Sequence, residues 1–429
     1  MCINLTQIKQ RLVWLLLSTC LFLVSAYFSP AKAVDWLKEI KTLERKKQSN
    51  PKSKKINKTL AIYYNNYAMA LANQKDWAHS ISYFLKALKI EPRNDVIRNN
   101  LADTYFQQAH LINQNIRTGQ GNQMKRQREA KALVEKAIQI NPSHVAAYML
   151  LGDIEYFNQK MRQAKQAFRK AAELDPDNQY IQDQLTRVER ESRVETRMES
   201  EFDRYFIIKI DENLKRKSNL DVKASLATIR RALAKDFKYK QKHKIAVIVY
   251  DMQTFRSTIS HAPSWSGALY DGKMRIPIST RRDNIKIAET SIYHEYTHAV
   301  IHAIANGHCP LWVNEGIAEY IEYKYGIPPS IDYLKSAYAQ KKIPPWNALN
   351  SAFSQHNTDF VNLGYQQAYS IIFYFVKHYK FRKINTLLKH LSKEIPLDAA
   401  LKQTYRYKAE RLEEKWLRWL PSFLDSYKN

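Results

Sequence analysis

Between residues 61 and 176 the chain repeats one spacing of small and apolar positions. Ala68, Ser80, Phe84, Ala87 and Pro92 return as Gly152, Ala164, Phe168, Ala171 and Pro176, with Leu101, Ala102, Ala130, Val134, Ala137 and Pro142 between them. Each unit reads as a pair of helices whose small residues let the partners approach closely, and three such units make a stack. The last two prolines are one unit apart, but the first two are further apart, which places an insertion around residues 112–127. Residues 177–203 carry Ile181, Leu185, Val188, Val194 and Met198 among many charges, the spacing of a capping helix. The period then changes. Residues 205–210 and 244–250 read as strands, and residues 222–236 as a helix capped by Asp221. Asp271-Gly272 marks a hairpin turn before the alternating stretch 273–278, in which Pro277 fits an edge strand or a strand end. Residues 377–429 read as closing helices. The pattern predicts a multidomain chain: an all-α repeat solenoid over 61–176, a linker helix over 177–203, and an α+β domain over 204–429.

The amino-terminal end is of another kind. Lys9 and Arg11 precede an uncharged run over residues 12–28, followed by Ala31-Lys32-Ala33. This is the form of a secretory signal peptide, residues 1–33, cleaved after Ala33. The run is long enough to leave an uncleaved membrane anchor open. Export to an extracytoplasmic place, periplasmic or secreted, is the expectation. Cys2 and Cys20 would leave with the signal, so the mature chain would keep Cys309 alone and have no internal disulfide. Cys309 is read as a small packed residue in a connecting loop. The formal net charge of +27 would draw the protein to an anionic membrane or cell-wall surface, while export excludes nucleic acid as a specific partner. Residues 34–60 read as a basic tether, with 46–58 as its flexible part.

The chemistry concentrates in one stretch. His294-Glu295-Tyr296-Thr297-His298 lies in an apolar helical segment free of Gly and Pro, and it places two imidazoles one turn apart on one face. Glu295 is positioned to act on a metal-held water. Fourteen residues after His298 begins Trp312-Val-Asn-Glu-Gly, which supplies Glu315 as a third ligand. Two histidines and one glutamate are a standard zinc set that leaves one position for water. Glu319, one turn beyond Glu315, is placed to accept the free N–H of a ligating histidine. A metzincin needs glycine at 301 and histidine at 304, and this chain has Ile301 and Ile304. His302 continues the histidine stripe and is read as packed rather than ligating.

These motifs together resemble the gluzincin metallopeptidases of the peptidase MA clan. The helix-pair units are similar to tetratricopeptide repeats, and the specific resemblance is to repeat proteins carrying a small MA-like peptidase domain. That resemblance implies zinc-dependent hydrolysis of a peptide or protein substrate, with Glu295 as proton carrier and a substrate-lining strand near residues 273–278. It puts a transition-state tyrosine at Tyr365, in Gly364-Tyr-Gln-Gln-Ala-Tyr, with Tyr369 one turn on as the alternative. The clan's aminopeptidases have Gly-Ala-Met-Glu-Asn where this chain has Gly267-Ala268-Leu269-Tyr270-Asp271, so the residue that grips a free amino terminus is missing. An endopeptidase is therefore favoured, with the repeats recruiting a protein partner or substrate. The reading from another class is a non-catalytic envelope scaffold whose zinc site is structural or vestigial.

Overall fold

A computed structural model describes residues 30–117, 123–217, 221–259, 269–270, 272–278, 285–326, 328–353 and 357–427. The apolar run over residues 12–28 lies outside them, and no described helix is long and apolar enough to cross a membrane. The chain forms two compact units that divide in sequence between Ser192 and Arg193.

The first unit is all helix: α1 (Pro30–Ser49), α2 (Lys54–Asn73), α3 (Trp77–Ile90), α4 (Asp95–Arg117), α5 (Gln123–Ile140), α6 (Val145–Phe157), α7 (Met161–Leu174) and α8 (Gln179–Glu195), the last running into the second unit. The small residues of the repeat pattern are the contact points. Ala68, Ala87, Ala102, Ala130, Ala137, Ala164 and Ala171 are fully buried. Gly152 leaves room that the Phe168 ring fills, since a methyl there would sit 2.8 Å from it. The stretch expected as a tether is instead α1, a turn and the start of α2, and Ile40 of α1 is buried in the same core as Leu60 and Ala61. Lysine and glutamine form helix well, so a basic stretch folds once one apolar face has something to cover. The expected linker helix likewise stops at Glu195, and Glu199–Phe202 is a strand.

The second unit begins with β1 (Glu199–Phe202), β2 (Phe206–Ile210), α9 (Glu212–Lys217), α10 (Val222–Phe237), β3 (Ile245–Asp251), α11 (Met252–Thr258), β4 (Leu269–Tyr270) and β5 (Lys273–Ile278). Asp221 caps α10 by accepting from the Ala224 N–H at 2.9 Å. The sheet order is β1-β2-β3-β5-β4, with β2, β3 and β5 parallel and the short outer strands antiparallel. Gly272, at φ 102°, makes the turn between β4 and β5. Pro277 lies past the two residues that β4 pairs, which is the strand-end position. Helices α12 (Ile285–Ala305), α13 (Leu311–Tyr325), α14 (Asp332–Ala339), α15 (Leu349–Ala352), α16 (Thr358–Tyr379), α17 (Phe381–Leu391), α18 (Leu397–Tyr405) and α19 (Ala409–Ser426) complete it.

Alternate residues of the central strands (Phe206, Ile208, Val247, Val249, Met274, Ile276) share a core with Ile292, Tyr296 and Val300 of α12 and with Trp312 and Ile317 of α13. The opposite face is also closed. Lys273 and Arg275, which in a strand wet on one side would face water, are fully buried. Lys273 Nζ lies 3.5 Å from Glu195, whose other oxygen accepts from the Tyr250 hydroxyl at 2.8 Å. Gly316 of α13 fixes how closely α16 approaches, because a Cβ there would lie 2.6 Å from the Ala368 carbonyl oxygen.

Candidate metal centre

Two helices and the start of a third build the site. α12 presents His294 and His298 one turn apart, their rings 4.7 Å from each other. The helix ends at Asn306 and Gly307, both left-handed, where the Gly307 N–H returns to the His302 carbonyl at 3.0 Å. α13 then starts behind Pro310, its Trp312 buried and the Trp312 backbone N–H donating to Asn350. This turn-back sets Glu315 opposite the histidines. His294 Nε2 lies 3.6 Å and His298 Nε2 3.4 Å from the same atom, Glu315 Oε2.

These separations are too long for good hydrogen bonds. They match the roughly 3.3 Å that separates two ligand atoms placed tetrahedrally about 2.0–2.1 Å from one ion. Glu295 is buried beside them, and its Oε2 has no hydrogen-bond partner among the described residues. The donor atoms of His294, Glu295 and His298 all lie within 4.8 Å of one another. Two imidazole nitrogens, one carboxylate oxygen and an unsatisfied carboxylate beside them fit a divalent zinc ion and a water.

The electrostatics follow from burial among opposite charges. Burial opposes the positive charge on His294, but the Glu315 and Glu322 carboxylates outweigh it and raise the imidazole well above its usual range. For His298, Glu315 does the same. Burial also opposes the Glu315 carboxylate, and the two histidines overcome it, holding that group far below the ordinary range. Glu295 goes the other way: burial raises it, and the nearby histidines only partly offset that.

The partner of His294 on its other nitrogen is a residue the sequence reading missed. His294 Nδ1 lies 3.0 Å from Glu322 and 3.8 Å from Glu319. Hydrogen bonding from His294 and from Thr290 keeps Glu322 below the ordinary range despite its burial, so it is an ionised acceptor. Burial lifts Glu319 to about 7 against the pull of His294. Glu315, Glu319 and Glu322 form one stripe of α13, and the i, i+4, i+7 spacing was the available signal.

Tyr365, in the second turn of α16, is half-buried against Phe353, with ring centroids 5.0 Å apart. Burial first, then the charges of Glu315, Glu319 and Glu295, raise its phenol well above the usual range, which keeps it a neutral donor beside the site. Tyr369 is elsewhere: fully buried, its hydroxyl reaches Tyr427 and its ring packs on Tyr323 and Phe373. His302 packs by Tyr270 and against Gly307. The Cys309 thiol is pushed up by burial and so stays protonated. Of the stretch compared with the aminopeptidase grip, Gly267, Ala268 and Asp271 lie outside the described residues.

Residues 224–422 match the Peptidase MA superfamily, and residues 61–94 and 123–187 match tetratricopeptide repeats. The chain carries a Peptidase MA superfamily domain behind tetratricopeptide repeats. The match takes in α12, α13 and α16, and so every residue just placed at the centre of the Peptidase MA domain. Among curated proteins it is similar to Protein O-mannosyl-transferase TMTC3 of Homo sapiens, 27% identical over 126 residues, and of Mus musculus, 28% identical over 131 residues. Each match takes 29% of this chain, which spans only 13% of those relatives' length. Among solved structures it is similar to the first TPR of Spaghetti (RPAP3) bound to HSP90 peptide, at 21% identity, 30% of this chain, 91% of that one and a TM-score of 0.22. The first TPR domain of the human RPAP3 protein matches at 21% identity, covering 31% of this chain and 91% of that one, with a TM-score of 0.21.

Proposed function

We propose that the Peptidase MA domain is an active zinc-dependent peptidase, cleaving within chains, and that the repeats bring it a protein substrate. The observation that carries this reading is the convergence of His294 Nε2, His298 Nε2 and Glu315 Oε2 beside the unsatisfied Glu295 carboxylate. His294, His298 and Glu315 would hold the ion. Bound there, zinc supplies Lewis-acid polarisation of a carbonyl and eases deprotonation of water. Glu295 takes the proton of the attacking water and hands it to the leaving amine. Tyr365 donates its hydroxyl hydrogen to the developing oxyanion. With an ion bound, Glu322 accepting the Nδ1–H of His294 would leave Nε2 as the nitrogen that holds the ion.

The mature protein works outside the cytoplasm, on the strength of the charged start, the apolar run and Ala31-Lys32-Ala33. Its basic charge holds it near anionic envelope surfaces. Incubating the purified protein with a peptide library before and after chelation tests the catalytic reading. Cleavage that is lost on chelation and restored by zinc is the expected result. No cleavage by zinc-loaded protein would leave the envelope scaffold as the better reading.

A further inference from the structure

We infer that the closing helices of the peptidase unit carry a docking face for an anionic phospholipid bilayer, built from Lys377, Lys415, Tyr407 and Trp419. This rests on the proposed attraction to envelope surfaces and deepens it, naming the face and the lipid chemistry it meets; it does not depend on cleavage. The face lies where the end of α16 meets α19 and the turn before it. Lys377 and His378 stand in the last turn of α16, and Lys415 and Trp419 one turn apart on α19. Aromatic rings join these pieces. Tyr374 lies 4.5 Å from His378 and 5.3 Å from Trp419, and His378 stands edge-on to Trp419 at 6.1 Å. On the other side of α19, Leu412, Trp416 and Leu420 are fully buried, which fixes the helix against the core.

The cations are held by rings rather than by acids. Lys377 Nζ sits 5.6 Å from the centre of the Trp419 ring and Lys415 Nζ 4.5 Å from that of Tyr407. Lys324 also lies over a ring, that of Tyr325, but Asp236 pairs with it; among the described residues Lys377 and Lys415 have no such acid. The acids of α19 are engaged or turned away. Glu413 accepts from the Trp346 N–H at 3.0 Å, Arg411 holds Glu414, and Glu410 lies on a different face of the helix from Lys415. Burial, then the charges of Lys377 and Lys415, hold His378 below the ordinary histidine range. A ring steadies a lysine without neutralising it, so both charges remain for an anion from outside. Arg406 and Lys408, both exposed, flank Tyr407 and add to the field. Tyr407 is 39% exposed and Trp419 half-buried. Each has an apolar body and a polar tip, and beside lysines this is the composition of a membrane-interface belt. A sugar site would need carboxylates or amides to accept hydroxyl hydrogens, and these residues supply none. Phosphate head groups suit them.

The test uses the full chain, and vesicles of phosphatidylcholine alone subtract any contribution of the apolar run at residues 12–28. Cosedimentation with vesicles of phosphatidylcholine and phosphatidylglycerol should show binding that the neutral vesicles lack. Lys377→Gln with Lys415→Gln should weaken it roughly thirtyfold, the worth of two lysines at an anionic surface. Lys377→Arg with Lys415→Arg should keep it, and Tyr407→Ser should weaken it without changing any charge. Lys75→Gln with Lys89→Gln, at two exposed lysines of the repeat unit, removes the same charge. It should cost much less, because a lysine off the contacting face meets the bilayer only through screening salt. Thermal melts check that each variant is folded. Equal losses from the two glutamine pairs would overturn the face and leave only diffuse attraction to the envelope. A soluble polyphosphate that bound with the same dependence on Lys377, Lys415 and Tyr407 would make a soluble polymer the partner and overturn the bilayer. Wild type that ignored anionic vesicles altogether would sink the envelope attraction together with this face.

Discussion

Two buried carboxylates, Glu191 in the repeat unit and Glu295 in the peptidase unit, are held in opposite ways. In the repeat unit Glu191 is fully buried and fully occupied: Tyr156 donates to one oxygen at 2.6 Å and Arg187 to the other at 3.0 Å. In the peptidase unit Glu295 is buried with an unsatisfied oxygen, and Glu315 faces two histidines at separations longer than hydrogen bonds. A buried charge without its hydrogen bonds costs free energy, so a fold keeps one where something else is to complete it. The first pattern is that of a structural lock. The second is that of a candidate metal site.

The contrast breaks if substitutions in the two places have the same consequences. The largest effect belongs to the ligands: His298→Ala should remove stoichiometric zinc and essentially all hydrolysis, read by metal analysis and peptide cleavage. Tyr365→Phe should lower kcat by roughly a hundredfold with little change in KM, the loss of one oxyanion donor. Glu322→Gln should weaken zinc about 10–100-fold by releasing His294 Nδ1, in competition with a chromogenic chelator, and Glu319→Gln should do less. The smallest catalytic effect belongs to the lock. Glu191→Gln should lower the thermal stability of the repeat unit by about 1–3 kcal/mol and leave cleavage of short peptides unchanged. If Glu191→Gln abolished cleavage, or Glu322→Gln left zinc affinity untouched, the two classes of buried carboxylate would not be distinct.

Much of this was legible because the carriers are local. The histidine pair and Glu295 follow from one helical turn, the repeats from small residues at fixed spacing, and the α10 cap from a single aspartate. What escaped depends on contacts distant in sequence. Whether Glu319 or Glu322 reaches His294 depends on how α13 crosses α12, which the helical period alone does not set. Lys273 and Arg275 alternate as if one face were wet, yet Glu195, far back in the chain, helps close that face. The basic stretch before residue 60 looked like a tether because its charges hide how few apolar residues, Ile40 among them, are enough to seat a helix.

The most direct test is Glu295→Gln. The residue lies among the ligands without being one, so the amide should keep the fold and the zinc while losing the proton carrier. Zinc content and melting temperature are read beside hydrolysis of a peptide that the wild type cleaves. The expected result is one zinc per chain, an unchanged melt and a rate reduced by roughly a hundredfold or more. A variant that kept its zinc and hydrolysed the peptide at the wild-type rate would contradict the assignment of Glu295 and the water-activating mechanism with it.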